Sequence, residues 1–225
     1  MPDYLPLVTA VVSFALTFLL ARLYLQRRKL HQLVWTASLA LLGLAAVLAF
    51  LGNPDVMGWN EGLYKAYLPL TALPVGLIGL GVLQLFRNRP MVAKAYGYYW
   101  VATSILIVAV TAVAGVQNAS ELAARGPAVG GKYLPAFGAV SWLQTVPGAL
   151  VFVVGGVYSW WKDHARRYGL FLALGGVLFT VAGFSSRLGA PSLFFVITTL
   201  AAIAMFFGFV MAVEHAASVP RAVKA

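Results

Sequence analysis

The sequence predicts an all-α fold, a polytopic membrane bundle of seven transmembrane helices, and three observations lead to this prediction. Seven apolar stretches account for most of the 225 residues. A run of about 18 or more apolar residues with few charges is typical of a membrane span. Charged residues make up only 10% of the chain, against roughly 25% in soluble domains. Finally, basic residues concentrate in every second connection, which is the pattern of a chain that crosses a bilayer repeatedly.

The spans follow one another closely along the chain. The predicted spans are 5–26, 31–52, 63–86, 96–116, 139–161, 168–187 and 191–215. The first follows Met1-Pro2-Asp3 without a basic segment or a small-residue cleavage site, so we expect a retained helix and not a signal peptide. The spans leave no room for a separate soluble domain, and residues 1–225 are therefore expected to form a single seven-helix transmembrane domain.

The connections support this division of the chain. Those after spans 1, 3 and 5 are short and basic. The connection 52–62 is rich in Gly, Asn, Pro and Asp, which are turn formers. The longest loop, 117–138, contains Gly126-Pro127 and Gly130-Gly131, which interrupt helices. We therefore expect this loop to be non-helical.

Charge predicts the orientation. Lys and Arg concentrate in cytoplasmic loops of membrane proteins, and twelve of the sixteen in this chain fall on one side of the predicted topology. These twelve are Arg22, Arg27, Arg28, Lys29, Arg87, Arg89, Lys94, Lys162, Arg166, Arg167, Arg221 and Lys224. The N-terminus is therefore predicted outside and the C-terminus in the cytoplasm of a prokaryotic cell, with the protein integral to the plasma membrane. The basic side suits anionic lipid headgroups as partners, and we expect no nucleic-acid role.

The middles of the predicted spans lack the ionisable residues that carry most enzyme chemistry. No Asp, Glu, Lys, Arg or His lies near the middle of a span, where an ionisable residue would indicate a functional site. The chain has no cysteine, no glycine-rich phosphate loop and no Gly-x-Ser-x-Gly motif. The histidines, His31, His164 and His215, lie at span ends without metal-ligand spacing. We expect no enzyme activity, no metal and no cofactor.

Neutral polar residues in the outer halves of the spans are the candidate ligand-binding residues. This set comprises Gln144, Thr145, Thr71, Thr198 and Thr199, with Trp142 and Tyr67 as stacking candidates. Pro74, and Pro147 with Gly148, are candidate hinges, because a proline inside a helix frees a backbone carbonyl that must find another donor. The alternative is that these polar side chains only tie helices together. Gln144 is the best single candidate, because its amide is not easily satisfied within one helix.

Small residues predict close helix packing in the last span. Ala204, Gly208 and Ala212 recur at intervals of four residues, which places them on one face of the helix. Such a stripe lets another helix approach closely. The partner is either a helix of the same chain or, in a homo-oligomer, a helix of a second copy.

The layout resembles the microbial rhodopsins in its seven spans, outside N-terminus and short loops. Lys65 stands nine residues before Pro74, and Leu193-Phe194-Phe195-Val196 resembles the start of the family's retinal-bearing helix. The resemblance implies a similar helical fold. Where the family has its Schiff-base lysine this chain has Ala202, and Thr198 and Leu68 replace carboxylates, so covalent retinal is not expected. The chain also resembles prokaryotic seven-helix membrane proteins that lend it no activity.

The leading functional hypothesis is a transporter or permease-like membrane protein. It would bind a small neutral or amphipathic molecule in an outward-facing pocket lined by Gln144 and the threonines. The alternative is a membrane sensor or interaction protein that does not transport its ligand. The polar residues alone do not decide between them.

Overall fold

The computed structural model describes residues 4–86, 90–125, 131–164, 166–187 and 191–218, and within these ranges the chain is helical without strands. There are eight helices in this part of the chain. They are α1 (Leu5–Arg27), α2 (Leu30–Leu51), α3 (Glu61–Leu85), α4 (Pro90–Val113), α5 (Ala119–Arg125), α6 (Pro135–Lys162), α7 (Tyr168–Arg187) and α8 (Pro191–Ser218).

The predicted all-helical membrane fold is confirmed at this level. Six helices, α1 to α4, α6 and α8, contain a stretch long and apolar enough to cross a membrane. In α7 the corresponding apolar stretch, Tyr168–Gly183, is shorter. The protein is therefore an integral membrane protein by the length and composition of its helices.

Several boundaries differ from the prediction, for local reasons. Helices α4 and α6 begin at Pro90 and Pro135, earlier than the predicted 96 and 139. Proline is favoured in the first helical turn, where its missing N–H removes no hydrogen bond. The expectation that 117–138 is entirely loop is wrong, because α5 occupies Ala119–Arg125. The helix-interrupting pair Gly126-Pro127 follows α5 directly but lies outside the described residues.

Six helices form a closed ring, and α4 lies outside it. Neighbours in the ring are α1 and α2, α2 and α3, α3 and α6, α6 and α7, α7 and α8, and finally α8 and α1. Helix α4 packs mainly on α3 and α6, outside the ring, and most of its surface is exposed. We call the end of the bundle with the C-termini of α1, α3, α6 and α8 the basic end, and the other the opposite end.

The ring closes where α3 and α6 cross with almost no side chain between them. A Cβ atom added to Gly148 would lie 2.7 Å from the carbonyl oxygen of Val75 and 3.0 Å from Cα of Gly76. One added to Gly79 would lie 3.1 Å from the carbonyl oxygen of Gly148. Small residues at a membrane helix interface allow this backbone approach. Gly148, a candidate hinge residue, therefore lies in a tight helix crossing.

Large side chains fill the ring in its basic half. The rings of Trp35 in α2 and Phe209 in α8 stack across the bundle with centroids 4.0 Å apart. Both side chains are fully buried, together with Leu20, Leu39 and Leu172. Because this core draws on α1, α2, α3, α6, α7 and α8, the interior of the ring is packed rather than open.

The crossing predicts a position-specific response to a single methyl group. We expect Gly148→Ala to lower the free energy of unfolding by about 1–3 kcal/mol, because backbone atoms of α3 cannot yield to the new side chain. The measurement is thermal or denaturant unfolding in detergent. Gly183→Ala in α7 is the matched control, since no atom of another described helix lies within 4 Å of its added Cβ. Equal stability of the two variants would contradict the crossing.

Candidate functional site

A cleft of the described structure lies at the basic end, between α3, α4 and α6. Its volume is about 890 Å³, within the range of about 300–1,000 Å³ that is usual for small-molecule sites. The walls are mostly apolar. They consist of Leu83, Leu85, Phe86, Val92, Val151, Val154, Gly155, Tyr158 and Ser159, with Lys162 and Arg166 at the mouth.

The mouth of this cleft is polar and positively charged. Arg166 Nε donates to Asp163 Oδ2 at 3.0 Å, so its charge is partly compensated. Lys162 is exposed, and within the described ranges it forms no ion pair with a carboxylate. A second, shallower cavity of about 300 Å³ adjoins at Tyr158, Trp161 and Lys162. The site thus joins an apolar cleft to a cationic rim.

The opposite end of the bundle is closed by aromatic side chains. Trp59 contacts Tyr67 with ring centroids 5.2 Å apart, and Tyr64 contacts Tyr133 at 6.0 Å. All four side chains are buried. Leu122 of α5 is buried in the same cluster, so the long connection folds back over the helix ends. Tyr67, a predicted stacking residue for a ligand, makes an edge-to-face contact with Trp59 in this plug.

Polar contacts hold the long connection in place. The backbone N–H of Gln117 donates to the carbonyl of Tyr133 at 2.8 Å, which joins the two ends of the connection. Lys132 forms an ion pair with Glu121 at 2.7 Å. On the neighbouring helix, Lys65 pairs with Glu61 at 2.8 Å and also donates to the carbonyl of Ala112. Lys65, part of the rhodopsin resemblance, is thus an anchor between α3 and α4.

Gln144 joins α6 to α4. Its side-chain nitrogen lies 3.0 Å from the carbonyl oxygen of Trp100, 3.0 Å from the Thr103 hydroxyl and 2.6 Å from the Ser104 hydroxyl, so its two hydrogens are shared among three acceptors. Both hydroxyls donate to backbone carbonyls of α4, which leaves their oxygens to accept. The Gln144 amide oxygen is buried without a partner among the described residues. The amide nitrogen of Gln144 therefore ties α6 to α4. Contacts of this kind belong to the alternative in which the polar side chains join helices.

The carbonyl freed by Pro147 also has a partner on α4. Proline at 147 cannot donate to the carbonyl of Leu143, four residues earlier. The hydroxyl of Tyr99 donates to this carbonyl. On α3, the Ser38 hydroxyl donates to the carbonyl of Pro74 at 3.0 Å. Both candidate hinge prolines thus lie where a neighbouring helix is hydrogen-bonded to the local backbone.

The remaining predicted pocket residues are dispersed. Thr71 donates to the carbonyl of Leu68 and Thr145 to that of Ser141, so each bonds within its own helix. Trp142 is largely exposed on α6. Threonine in membrane helices commonly bonds back to the preceding turn in this way. The structure does not bring these residues together with Gln144 into one contact set.

The last two predicted threonines lie where α8 meets α1. The hydroxyls of Thr199 and Thr9 are 2.7 Å apart, and both bond to the carbonyl of Phe195. Thr198 is buried, and its hydroxyl has no partner among the described residues; the same holds for Ser13 of α1. These two hydroxyls belong to the α1 and α8 side of the ring and not to the α3–α4–α6 cleft.

The small-residue stripe of α8 lies inside the chain. A Cβ atom added to Gly208 would be 2.8 Å from Leu172 Cδ2 and 3.1 Å from the backbone nitrogen of Leu172 in α7. Ala204 and Ala212 are buried as well. Within the single chain, α7 thus packs on the small-residue face of α8, for which the sequence predicted either a helix of the same chain or a second copy.

A polar group on α2 and α3 was missed by the sequence analysis. Gln32 and Trp35 are fully buried, and the Gln32 Oε1, Trp35 Nε1 and Gln84 Oε1 atoms have no partner among the described residues. The indole nitrogen faces Gly81 of α3. Gln32 lies three residues before Trp35 and Gln84 three after Gly81, so the antiparallel helices bring the two glutamines to the same level. The sequence does contain a sign of this polar group, because Gln32 and Gln84 both lie near the ends of predicted spans.

Each of the three histidines contacts a different aromatic side chain. His31 contacts Trp35, His164 contacts Trp160, and His215 contacts Tyr168, with ring centroids 4.9–5.8 Å apart. Across the described ranges no three His, Asp or Glu side chains cluster in a metal-binding arrangement. Each histidine therefore packs on its own aromatic partner.

Comparisons with known proteins do not assign the chain to a family. It matches no protein-family model, no curated protein and no solved structure. The resemblance to the microbial rhodopsins therefore stays a prediction.

The contacts of Gln144 predict its effect on stability. We expect Gln144→Leu to lower the unfolding free energy by about 1–2 kcal/mol, because interhelical hydrogen bonds in membranes contribute about 0.6–2 kcal/mol. Thermal unfolding in detergent measures this loss. Thr145→Val is the neighbouring control, since Thr145 bonds only within α6, and its stability should change little. A Gln144 variant as stable as this control would show that α4 is held by other contacts.

Proposed function

We propose that this protein is a seven-span membrane protein, with its N-terminus outside, that binds a small amphipathic molecule in a permease-like manner. The cleft at the basic end carries the proposal. It combines apolar walls with a cationic rim in a volume suited to a small molecule. An amphipathic ligand matches both parts, because its apolar segment covers the walls and its polar head stays at the mouth.

The state of the two ends supports a permease-like role. The opposite end is closed by the plug of Trp59, Tyr64, Tyr67 and Tyr133, while the basic end opens into the cleft. A permease that exposes its site to one side of the membrane at a time is closed at one end and open at the other in each of its two states. The support thus lies at the basic end and not in an outward-facing pocket around Gln144.

The proposed orientation can be tested directly, because the chain has no cysteine. Single cysteines at exposed positions on the two sides, Ser120→Cys and Gln26→Cys, give one label site each. In intact cells a membrane-impermeant maleimide should label position 120, and it should label position 26 only after the membrane is permeabilised. Labelling of position 26 in intact cells would reverse the orientation.

Filling the cleft should remove the bound molecule. Val154 is exposed and lines the cleft, whereas Val157 is exposed on α6 but does not line it. Mass spectrometry of the intact protein in a mixture of dioleoyl lipids should show a retained amphipath in the wild type. We expect Val154→Trp to lose most of this adduct, because the indole fills the cleft, and Val157→Trp to keep it. Equal adducts in both variants would place the site elsewhere.

A further inference from the structure

We infer that the basic-end cleft selects a phospholipid with an anionic headgroup, held at Lys162 with one acyl chain in the cleft. This inference rests on the proposed function, since it specifies the ligand of the same site. It adds a headgroup charge, a residue that recognises it and a direction of entry from the surrounding lipid.

The charge at the mouth selects an anion. Three charged side chains of the described residues lie there, Lys162, Arg166 and Asp163. The Arg166–Asp163 ion pair is internally compensated, so Lys162 leaves one net positive charge. A lysine ammonium binds phosphate as a point charge with three donors. A zwitterionic headgroup carries a cation of its own, which would lie near the Lys162 ammonium and weaken the attraction.

Aromatic side chains around Lys162 place the site at headgroup level. Tyr158 and Lys162 line both the main cleft and the smaller cavity, and Trp161 completes the smaller one. Trp161 is about three-quarters exposed. Exposed Trp and Tyr at the ends of membrane helices lie among the headgroups. The smaller cavity therefore suits the headgroup, and the main cleft extends from it between the helices.

The walls of the cleft open sideways into lipid. Val92 of α4 and Val154 of α6 line it, and both are about half exposed, at 46% and 61%. On apolar membrane-spanning helices such exposed faces contact acyl chains. One chain of a phospholipid can thus enter the cleft while the second stays in the bilayer. At the inner wall Gly155 lets α6 pack closely on α3, since a Cβ there would lie 2.7 Å from Val82 Cγ1.

The test compares two lipids that differ only in headgroup. Dioleoyl phosphatidylglycerol and dioleoyl phosphatidylcholine are titrated separately into the full-length protein in neutral detergent, and adducts are counted by mass spectrometry of the intact protein. We expect phosphatidylglycerol to bind about five-fold more tightly, the effect of one basic side chain near an anionic headgroup. Lys162→Gln should abolish this preference. Lys29→Gln, between α1 and α2 at the same end, should retain it.

The outcomes separate the headgroup inference from the proposed function. Equal binding of both lipids, lost in Val154→Trp, would overturn the selectivity and leave the cleft as a binding site. Adducts unchanged by both Val154→Trp and Val92→Trp, on opposite walls, would overturn both proposals. A preference that survives Lys162→Gln would overturn the role of Lys162. Unchanged melting temperatures are required of every variant, and Val92→Trp replaces Val154→Trp if the latter unfolds.

Discussion

The close backbone crossing of α3 and α6 determines the arrangement of the other helices. Gly148 lies against Val75 and Gly76, and Gly79 lies against Gly148, so the two backbones come into direct contact at this crossing. Hydrophobic burial does not drive helices together within lipid, and such contacts depend on close packing and hydrogen bonds. Because α3 and α6 meet directly, the ring closes with six helices and α4 is left outside it.

Polar groups attach helix α4 to its neighbours, and Ile107 is its one buried apolar side chain among the described residues. Gln144 bonds to three acceptors on α4, and Tyr99 supplies the donor that Pro147 cannot. A proline that frees a carbonyl in lipid thereby creates a specific attachment point for a neighbouring helix. These attachments lie near the middle of α4. Towards its N-terminus, where Val92 lies, the cleft separates α4 from α6.

The sequence predicted the helices well because each membrane span is encoded locally by a long apolar run. Gln144 was predicted as the best ligand-binding candidate, because its amide is not easily satisfied within one helix. Its partners, Trp100, Thr103 and Ser104, were not predictable, because they depend on the placement of α4 beside α6. The cleft was missed for the same reason. Most of its lining residues are ordinary apolar side chains. They border a cleft only because α3, α4 and α6 are placed around it in the fold.

The two ends of the bundle differ in what their aromatic residues do. At the opposite end Trp59, Tyr64, Tyr67 and Tyr133 contact one another and are removed from solvent. At the basic end Tyr158 and Trp161 remain exposed beside Lys162. Composition alone assigns both groups to interfacial belts, since both lie at span ends. Contacts among the first group close the bundle at the opposite end. Tyr158 and Trp161 instead line the smaller cavity at the basic end, beside Lys162.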